Sequence, residues 1–201
     1  MNIGMNSITD PIGHIQQWLN EAEKTESRDP NAMSLATVGH DMLPDIRTVL
    51  LKEIAPEGLY FYTNHNSAKA KELSENPKAA ICLYWKSLNR QVRVRGNVSS
   101  ASKEKSDSYF ATRHPQSQAG AWASQQSQPM ESREAFEKGV KDVLHKYKDK
   151  DAIPRPPNWG GYIIAPLSIE FWQEGEYRLH TRHVFTRNSE DSSWDKTILY
   201  P

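Results

Sequence analysis

The feature that most constrains the fold is a series of short strand-like segments joined by turns. Between residues 33 and 98 they read MSLATV, IRTVLLKEI, GLYFYTN, AAICLYW and RQVRVRGNV. These segments are rich in β-branched and aromatic residues, and turn residues separate them. Most of the connections are too short for the crossover helices that parallel strands require. The sequence therefore predicts an antiparallel meander, interrupted once by a short helix around 67–75.

The second half of the chain combines helical and strand patterns. Apolar residues at helical spacing predict helices over 103–112, 116–124 and 133–147. Strand patterns resume at 161–165, 169–173, 177–187 and 194–200. The charged and then proline-rich segment 148–159 lies between the two groups and should be an extended connector. About nine strand segments with inserted helices predict an α+β fold, with a closed or nearly closed antiparallel barrel and helices packed outside the sheet.

The N-terminal segment carries a helix signal. Asp10-Pro11 supplies an N-cap and a first-turn proline, and apolar residues recur at helical spacing from Ile12 to Ala22. We expect an amphipathic helix over 11–25, within a helical segment 10–26 that follows a disordered stretch, 1–9. With 201 residues, the chain is expected to form a single domain over 1–201.

Composition argues against several classes of protein. The chain has 25 Lys+Arg and 25 Asp+Glu with no basic half, so general electrostatic binding of nucleic acid is not expected. Cys82 is the only cysteine, which excludes an intrachain disulfide and leaves no zinc-site spacing, so we expect no metal site. A reducing cytoplasm fits this pattern best. Secretion and membrane spanning are not expected, because the sequence has no leader pattern and no apolar run of about 18 residues.

The usual catalytic signatures GxGxxG, GxxxxGK[ST], HExxH, CxxC and GxSxG do not occur. Candidate anion ligands occur instead near strand and helix ends. Arg47 and Lys52 bracket an apolar strand, and Thr63, Ser67 and Lys69 surround a helix N-terminus. Guanidinium, ammonium and backbone N–H groups suit phosphate oxygens. Solvated strand ends and an ordinary helix cap remain the alternative interpretations.

Three later segments place polar side chains on one face or at one bend. They are Gln91, Arg93 and Arg95 in the first, Tyr109, Arg113 and Ser117 in the second, and Arg178, His180 and Arg182 in the third. Pro115 interrupts the second set, and the third should alternate along one strand face. Each set could also be a solvated surface, but their recurrence in segment after segment favours ligand binding.

These residues belong to motifs that occur together in one known family. From about Asp10 to Pro201 the chain contains R-x-VLLK, FYTN with S-x-K, NRQV-x-V-x-G, SQ-x-GAW, S-x-QS, WGGY, EFWQ and RLH-x-R. In this it resembles the pyridoxamine 5′-phosphate oxidase family, FMN enzymes that make pyridoxal 5′-phosphate. The resemblance implies a split antiparallel β-barrel with peripheral helices, assembled as a homodimer with FMN at the subunit interface.

The resemblance also assigns residues to FMN. The phosphate and ribityl ligands, with the strand alongside them, match Arg47, Thr48, Val49, Leu50, Leu51, Lys52, Tyr62, Thr63, Lys69, Gln126 and Ser127. The isoalloxazine ring is implied to contact Gln91, Trp172 and Arg182, the last two from the partner subunit.

For the substrate, the resemblance implies a phosphate site and a ring site. The phosphate ligands match Lys52, Tyr109, Arg113 and Ser117, and the pyridine-ring contacts match Arg178 and His180. Arg178 and His180 are also the expected catalytic residues, Arg178 positioning the reacting carbon and His180 orienting the substrate. The implied reaction transfers a hydride from C4′ of pyridoxamine or pyridoxine 5′-phosphate to flavin N5, after which O2 reoxidises the flavin and gives H2O2.

Two other functions remain open. One is a related flavin oxidase of the same fold, of the phenazine-biosynthesis type, acting on another reduced ring. That subgroup tends to lose the lysine matched by Lys52, so its presence favours a phosphorylated substrate. The other is a non-catalytic split-barrel protein that binds FMN, pyridoxal phosphate or haem.

Three departures from the family pattern concern ligand binding. Ala68 stands where the family usually has an arginine near the FMN phosphate, and Thr181 stands where it usually has an aspartate. No R-x-x-Y element precedes Asp10. We expect weaker FMN binding, unless Arg93 or Arg95 compensates, and looser closure over the substrate.

Overall fold

Within residues 5–150 and 152–201, which a computed structural model describes, the chain forms nine strands and five α-helices. The strands are β1 (Ala32–Val38), β2 (Pro44–Leu50), β3 (Glu53–Ala55), β4 (Gly58–Asn64), β5 (Lys78–Trp85), β6 (Arg90–Ser100), β7 (Trp159–Gln173), β8 (Thr181–Thr186) and β9 (Asp195–Leu199). The helices are α1 (Pro11–Ala22), α2 (Ala68–Glu75), α3 (Lys103–Ala111), α4 (Pro115–Ala123) and α5 (Arg133–Lys146). All strand pairs are antiparallel, and the sheet curls into a half-barrel, which confirms the predicted α+β class.

The long strand β7 organises the sheet. The order is β2-β1-β5-β6-β7-β4-β3, and β8 and β9 continue from β7. The first half of β7 pairs with β4 and the second half with β8, while β6 runs along both halves. Strands β4, β6 and β8, which carry Thr63, Gln91 and Arg182, are therefore all attached to one strand.

The prediction of two strands at 161–165 and 169–173 is wrong, because β7 is continuous over both. A β-bulge after Arg95 shifts the register opposite Pro166, so the proline does not end the strand. Gly96 makes the bulge possible, since a Cβ there would lie 2.0 Å from the carbonyl oxygen of Ala165. The expected strand over 46–54 instead divides into β2 and β3.

The predicted strand over 177–187 begins only at Thr181. Glu176–Arg178 form a short 3₁₀ turn, in which Tyr177 and Arg178 have φ values of 55° and 66°. Consecutive left-handed residues cannot continue a strand. The prediction that Arg178, His180 and Arg182 alternate along one strand face is therefore wrong.

The helices follow their predicted positions closely. The bend between α3 and α4 falls at Pro115, which begins α4 and supplies no backbone N–H. α3 packs against β7, and α4 packs against α5. Residues 148–150 form a turn after α5, and residues 152–158 lead into β7 without regular secondary structure, as an extended connector would.

α1 packs on the inward face of the sheet. The Asp10 side chain caps the helix by accepting a hydrogen bond from the Gly13 N–H at 3.0 Å. The Trp18 ring lies 5.1 Å from that of Phe171 and 6.5 Å from that of Trp85. Burying apolar side chains of this size contributes roughly 1.5–3 kcal/mol each, which explains why α1 stays attached to the sheet.

The N-terminal stretch differs in part from its prediction. A 3₁₀ helix spans Met5–Ser7, and Ile8 belongs to the hydrophobic core, so residues 5–9 are not disordered. Residues 1–4 of the predicted disordered stretch lie outside the described residues. α1 ends at Ala22, before the predicted end at 25. None of the helices described has the length and apolarity that a membrane span requires.

Candidate active site

One cavity of about 680 Å³ brings together most of the residues predicted to bind FMN and the substrate phosphate. Strands β2 and β4, helices α2 to α5 and the first residue of β7 contribute to it. Its predicted lining residues are Arg47, Thr48, Val49, Leu50, Lys52, Tyr62, Thr63, Lys69, Tyr109, Arg113, Ser117 and Gln126. The volume is typical of small-molecule sites, which span about 300–1,000 Å³.

Lys69 forms a buried polar corner of this cavity, in the first turn of α2. Its ammonium group donates hydrogen bonds to Gln126 Oε1 at 3.1 Å and to the hydroxyls of Thr63 and Ser67, both at 3.4 Å. These partners are all neutral, and Lys69 is only 8% exposed. Burial, and then the charge of Arg47, lowers the pKa of Lys69. A buried ammonium group with neutral partners favours an anionic ligand.

Arg47 lies near Lys69 but is bound differently. Its Nη2 donates to the carboxylate of Asp45 and to Glu72 Oε2, the latter at 3.1 Å. Its Nη1 donates to the hydroxyl of Thr37. Because Glu72 belongs to α2, this network connects β2 with α2 and fixes the guanidinium at the edge of the cavity.

Arg113 forms a second cationic corner, in the bend between α3 and α4. Its guanidinium carbon lies 4.7 Å from the centroid of the Trp159 ring. Within the described part of the chain, its buried Nη1 has no hydrogen-bond partner. Burial lowers the pKa of Arg113, because desolvation disfavours the cation. A desolvated guanidinium with an open donor is suited to bind a phosphate oxygen.

The residues predicted to contact the flavin ring form a separate group on β6, β7 and β8. Gln91 is paired with Trp172 across the sheet, and Trp172 is paired with Arg182. Arg182 Nε donates to Glu170 Oε1 at 2.8 Å, and Arg93 Nη1 donates to Glu170 Oε2 at 3.1 Å. Gln91, Trp172 and Arg182 do not line the 680 Å³ cavity.

The two predicted catalytic residues lie beside this group, on the loop before β8. The His180 ring centroid is 4.6 Å from that of Trp172, and His180 Nδ1 accepts a hydrogen bond from the Gly175 N–H at 3.2 Å. In the neutral ring this leaves Nε2 as the donor. Arg178 is exposed and has the left-handed backbone described above. Neither residue lines the cavity.

Besides the ring group, two further predicted FMN residues do not line the cavity. Leu51 is buried in the hydrophobic core instead. Ser127 lies just outside, where its hydroxyl accepts a hydrogen bond from the Ala68 N–H at 3.2 Å. Ser127 therefore contacts the first residue of α2 without lining the cavity itself.

Several residues of the site were not predicted from the sequence. Asn64, His114, Phe136 and Trp159 line the cavity, and Glu170 binds Arg182. Asn64 and Trp159 belong to the motifs FYTN and WGGY, which were a usable signal. The sequence contains no comparable signal for Glu170, because its arginine partners lie on neighbouring strands.

The resemblance implies an arginine at position 68, where this chain has Ala68, and neither Arg93 nor Arg95 lines this cavity to compensate. Arg93 pairs with Glu170, and Arg95 lines a different cavity of about 430 Å³. Thr181 lacks the charge of the usual aspartate, but Arg182 already has a carboxylate partner in Glu170. If the Lys69 corner binds the FMN phosphate, as the resemblance implies, we expect the missing charge at position 68 to weaken binding there, whereas Arg182 in the ring group keeps a carboxylate partner.

The donors of the cavity fit the groups that FMN and a phosphorylated substrate present. Lys69, Arg47 and Thr63 supply cationic and hydroxyl donors at one corner, and Arg113, Tyr109 and Ser117 supply them at another. The described residues contain no group of three or more His, Cys, Asp or Glu that could hold a metal ion.

Known proteins match the chain over nearly its whole length. A family model described as pyridoxamine 5′-phosphate oxidase matches residues 19–147, and one described as the pyridoxine 5′-phosphate oxidase C-terminal dimerisation region matches 159–201. Curated relatives named pyridoxine/pyridoxamine 5′-phosphate oxidase, from Bradyrhizobium diazoefficiens and Brucella canis, are each 50% identical over 192 residues. The matches cover 96% of this chain and 90% and 94% of those relatives.

Solved structures show the same fold. PhzG from Burkholderia lata, in complex with tetrahydrophenazine-1-carboxylic acid, has a TM-score of 0.90 at 30% identity and is matched over 97% of this chain and 94% of its own. A pyridoxamine 5′-phosphate oxidase-related, FMN-binding protein from Nostoc punctiforme has a TM-score of 0.76 at 22% identity, with 97% and 99% covered. The predicted split-barrel class and family are thus confirmed, and this chain belongs to the pyridoxamine 5′-phosphate oxidase family.

Proposed function

We propose that the protein catalyses the FMN-dependent oxidation of pyridoxamine and pyridoxine 5′-phosphate to pyridoxal 5′-phosphate, with O2 as electron acceptor and H2O2 as product. One observation carries this proposal. A single cavity holds two cations in separate corners, the buried Lys69 and the half-buried Arg113, and neither makes an ion pair with a carboxylate among the described residues. The reaction needs two phosphate-bearing ligands side by side. The relatives' names supply the substrate class.

In this proposal the Lys69 corner binds the phosphate and ribityl groups of FMN. Lys69, Arg47, Thr63, Gln126 and Ser127 supply donors and acceptors there. Residues 48–52, which run from β2 into the loop after it, and Tyr62 flank the cofactor. Gln91, Trp172 and Arg182 surround the isoalloxazine ring.

The Arg113 corner binds the phosphate of the substrate, together with Lys52, Tyr109 and Ser117. Arg178 and His180 hold the pyridine ring. His180 uses Nδ1 within its own loop, so Nε2 is available to donate to the substrate. The guanidinium of Arg178 can polarise and orient the substrate through its N–H donors, and the proposal gives it no role as a base.

The cavity and the ring group come from different subunits in this proposal. The loop and strands that carry Arg178, His180 and Arg182 lie within the dimerisation region, at 159–201. Large apolar residues there are exposed, including Tyr177, Leu179 and Ile198. A second copy of the chain would cover them and bring the ring group to the cavity of its partner, so that FMN would bind at the subunit interface.

When bound, FMN supplies the hydride acceptor at N5 and returns the electrons to O2. The chain's own task is to hold C4′ of the substrate against N5 and to exclude water, and positioning of this kind can lower a barrier substantially. The phosphate corners fix one end of each ligand. Arg178 and His180 then set the angle of the substrate ring.

A second candidate function is a flavin oxidase for a non-phosphorylated reduced ring. It is motivated by PhzG, whose structure contains tetrahydrophenazine-1-carboxylic acid. Lys52 and Arg113 both line the cavity, which favours a phosphorylated substrate. A non-catalytic carrier, the other alternative, has no need of Arg178 and His180.

The single cysteine supports a reducing cytoplasm as the compartment.

An anaerobic half-reaction tests this function. The FMN-loaded protein is mixed with pyridoxamine 5′-phosphate without O2, the visible absorbance of the flavin is followed, and O2 is then admitted. We expect bleaching, recovery on admission of O2, and formation of pyridoxal 5′-phosphate and H2O2. Bound FMN that does not bleach would reject this substrate. Bleaching by a dihydrophenazine carboxylic acid alone would favour the second candidate.

A further inference from the structure

Arg113 is held by aromatic rings and not by carboxylates. Its guanidinium carbon lies 4.7 Å from the ring centroid of Trp159 and 5.6 Å from that of Phe110. The described residues provide no ion pair for it, and its buried Nη1 has no hydrogen-bond partner there. Arg47 in the same cavity is instead bound by two carboxylates, of Asp45 and Glu72. The two arginines are thus fixed by different physical means.

Trp159 is itself firmly held. It is 6% exposed, and its ring is nearly parallel to those of Tyr62 and Tyr109, at centroid distances of 5.6 and 6.1 Å and interplanar angles of 10°. The ring of Phe110 meets it edge-on at 5.0 Å. Trp159 therefore presents a rigid π face to Arg113.

The backbone of Trp159 is fixed as well. It is paired with Asn64 at the start of β7, and its carbonyl oxygen accepts a hydrogen bond from Arg155. Arg155 also binds Asp107 on α3, with Nε and Oδ1 2.6 Å apart. The start of β7 is thus connected to the helix that precedes Arg113, so the ring and the guanidinium belong to one rigid unit.

We propose that Trp159 is a positioning residue that holds Arg113 open for the substrate phosphate and so makes the enzyme prefer phosphorylated over unphosphorylated substrates. A π face orients a cation and attracts it without neutralising its charge. A carboxylate partner would orient Arg113 too, but it would compete with the phosphate for the same donors. The inference rests on the proposed function, since it concerns the substrate of that reaction.

The test compares pyridoxamine 5′-phosphate with pyridoxamine as substrates of Trp159→Leu, Trp159→Phe and the wild type, all loaded with FMN. We expect Trp159→Leu to raise KM for the phosphorylated amine about tenfold, because an interaction of cation–π strength is lost. The rate with pyridoxamine should stay within about twofold. Trp159→Phe keeps a smaller π face, so its KM for the phosphorylated amine should lie between those of the wild type and Trp159→Leu.

Phe61→Leu is the matched control. Phe61 is a fully buried aromatic residue that makes no ring contact with Arg113. Its replacement should lower Tm without changing the ratio of kcat/KM for pyridoxamine 5′-phosphate to kcat/KM for pyridoxamine. FMN fluorescence titrations should give the same Kd for the Trp159 variants and the wild type. This readout separates lost phosphate recognition from general damage to the fold.

The inference would be overturned if Trp159→Leu kept the wild-type ratio of kcat/KM for the two amines. It would also be overturned if kcat/KM fell by the same factor for both. If the wild type itself fails to oxidise pyridoxamine 5′-phosphate, the proposed function fails. Calorimetric Kd values for the two amines then test the inference separately. If Trp159→Leu changes the ratio of the Kd values for the two amines, the inference is supported. If the ratio stays as in the wild type, the inference is rejected.

Discussion

The two halves of the candidate site are built in opposite ways. In the cavity half, Thr63 and Lys69 are 6% and 8% exposed, and the charged groups are fixed by hydrogen bonds or aromatic rings. In the ring half, Arg178 stands on an exposed loop beside Tyr177, which is 91% exposed. Thr63 and Lys69 of the first half are thus buried within one chain, whereas Arg178 of the second half is exposed.

This difference separates two tasks. In the proposed function, phosphate groups meet donors that are already oriented, so little reorganisation is needed when a ligand arrives. The proposed ring chemistry depends on residues that one chain leaves uncovered. If the halves meet only across the dimer, a change in one half should alter binding of phosphate and a change in the other should alter turnover.

The largest expected effect comes from the exposed half. Arg178→Ala should lower kcat about a hundredfold or more, because the substrate ring loses its positioning group, while FMN stays bound. Steady-state H2O2 release measures turnover, and flavin absorbance after gel filtration measures bound FMN. Arg28→Ala removes another exposed arginine and should change neither. Unchanged turnover would remove Arg178 from its proposed role.

An intermediate effect is expected in the cavity half. Ala68→Arg should tighten FMN binding about tenfold, because one charge-assisted hydrogen bond contributes roughly 1.5–3 kcal/mol. FMN fluorescence titration measures the Kd, and Ala68→Gln is the neutral control. KM for pyridoxamine 5′-phosphate should not change. An unaltered FMN Kd in Ala68→Arg would mean that position 68 does not face the FMN phosphate.

The smallest expected effect is a change with pH in the stability of the fold near the cavity half. His65, in the turn before α2, has its pKa lowered by burial and then by the charge of Arg155. The unfolded chain therefore takes up this proton first as the pH falls below about 6.5, and the free energy of unfolding decreases. Above that pH the contribution of His65 is complete.

We expect Tm to fall by a few degrees between pH 7.5 and 5.5, and by less in His65→Asn. His145→Asn changes an exposed histidine on α5 and should keep the full wild-type decrease. Differential scanning calorimetry at both pH values measures the effect. A decrease in His65→Asn as large as in the wild type would contradict the assignment.

Local sequence patterns predicted the parts of the molecule that depend on neighbouring residues. The alternation of Gln91, Arg93 and Arg95 with buried valines is observed in β6, and the bend at Pro115 is where the proline requires it. Residue types and spacing identified Arg47, Lys69, Arg113 and Arg178 as candidate ligands, but their assignment to two halves of one site came from the resemblance, which carries spatial information that a single sequence lacks.

The errors arose where distant contacts decide the structure. β7 is continuous through Pro166 because Gly96, on another strand, forms the bulge opposite it. The left-handed pair Tyr177 and Arg178 leaves no trace in residue type, since neither is a glycine. The packing of Arg113 on Trp159 joins segments 46 positions apart, which no periodicity reveals.

Mixed dimers test most directly whether the two halves meet across subunits. Arg113→Ala disables the cavity half of its chain and Arg178→Ala disables the ring half, so each homodimer should be nearly inactive. In a purified heterodimer, one site combines both defects and the other combines two intact halves. The account predicts about half of the wild-type turnover per dimer with pyridoxamine 5′-phosphate. A heterodimer as inactive as either parent would contradict it.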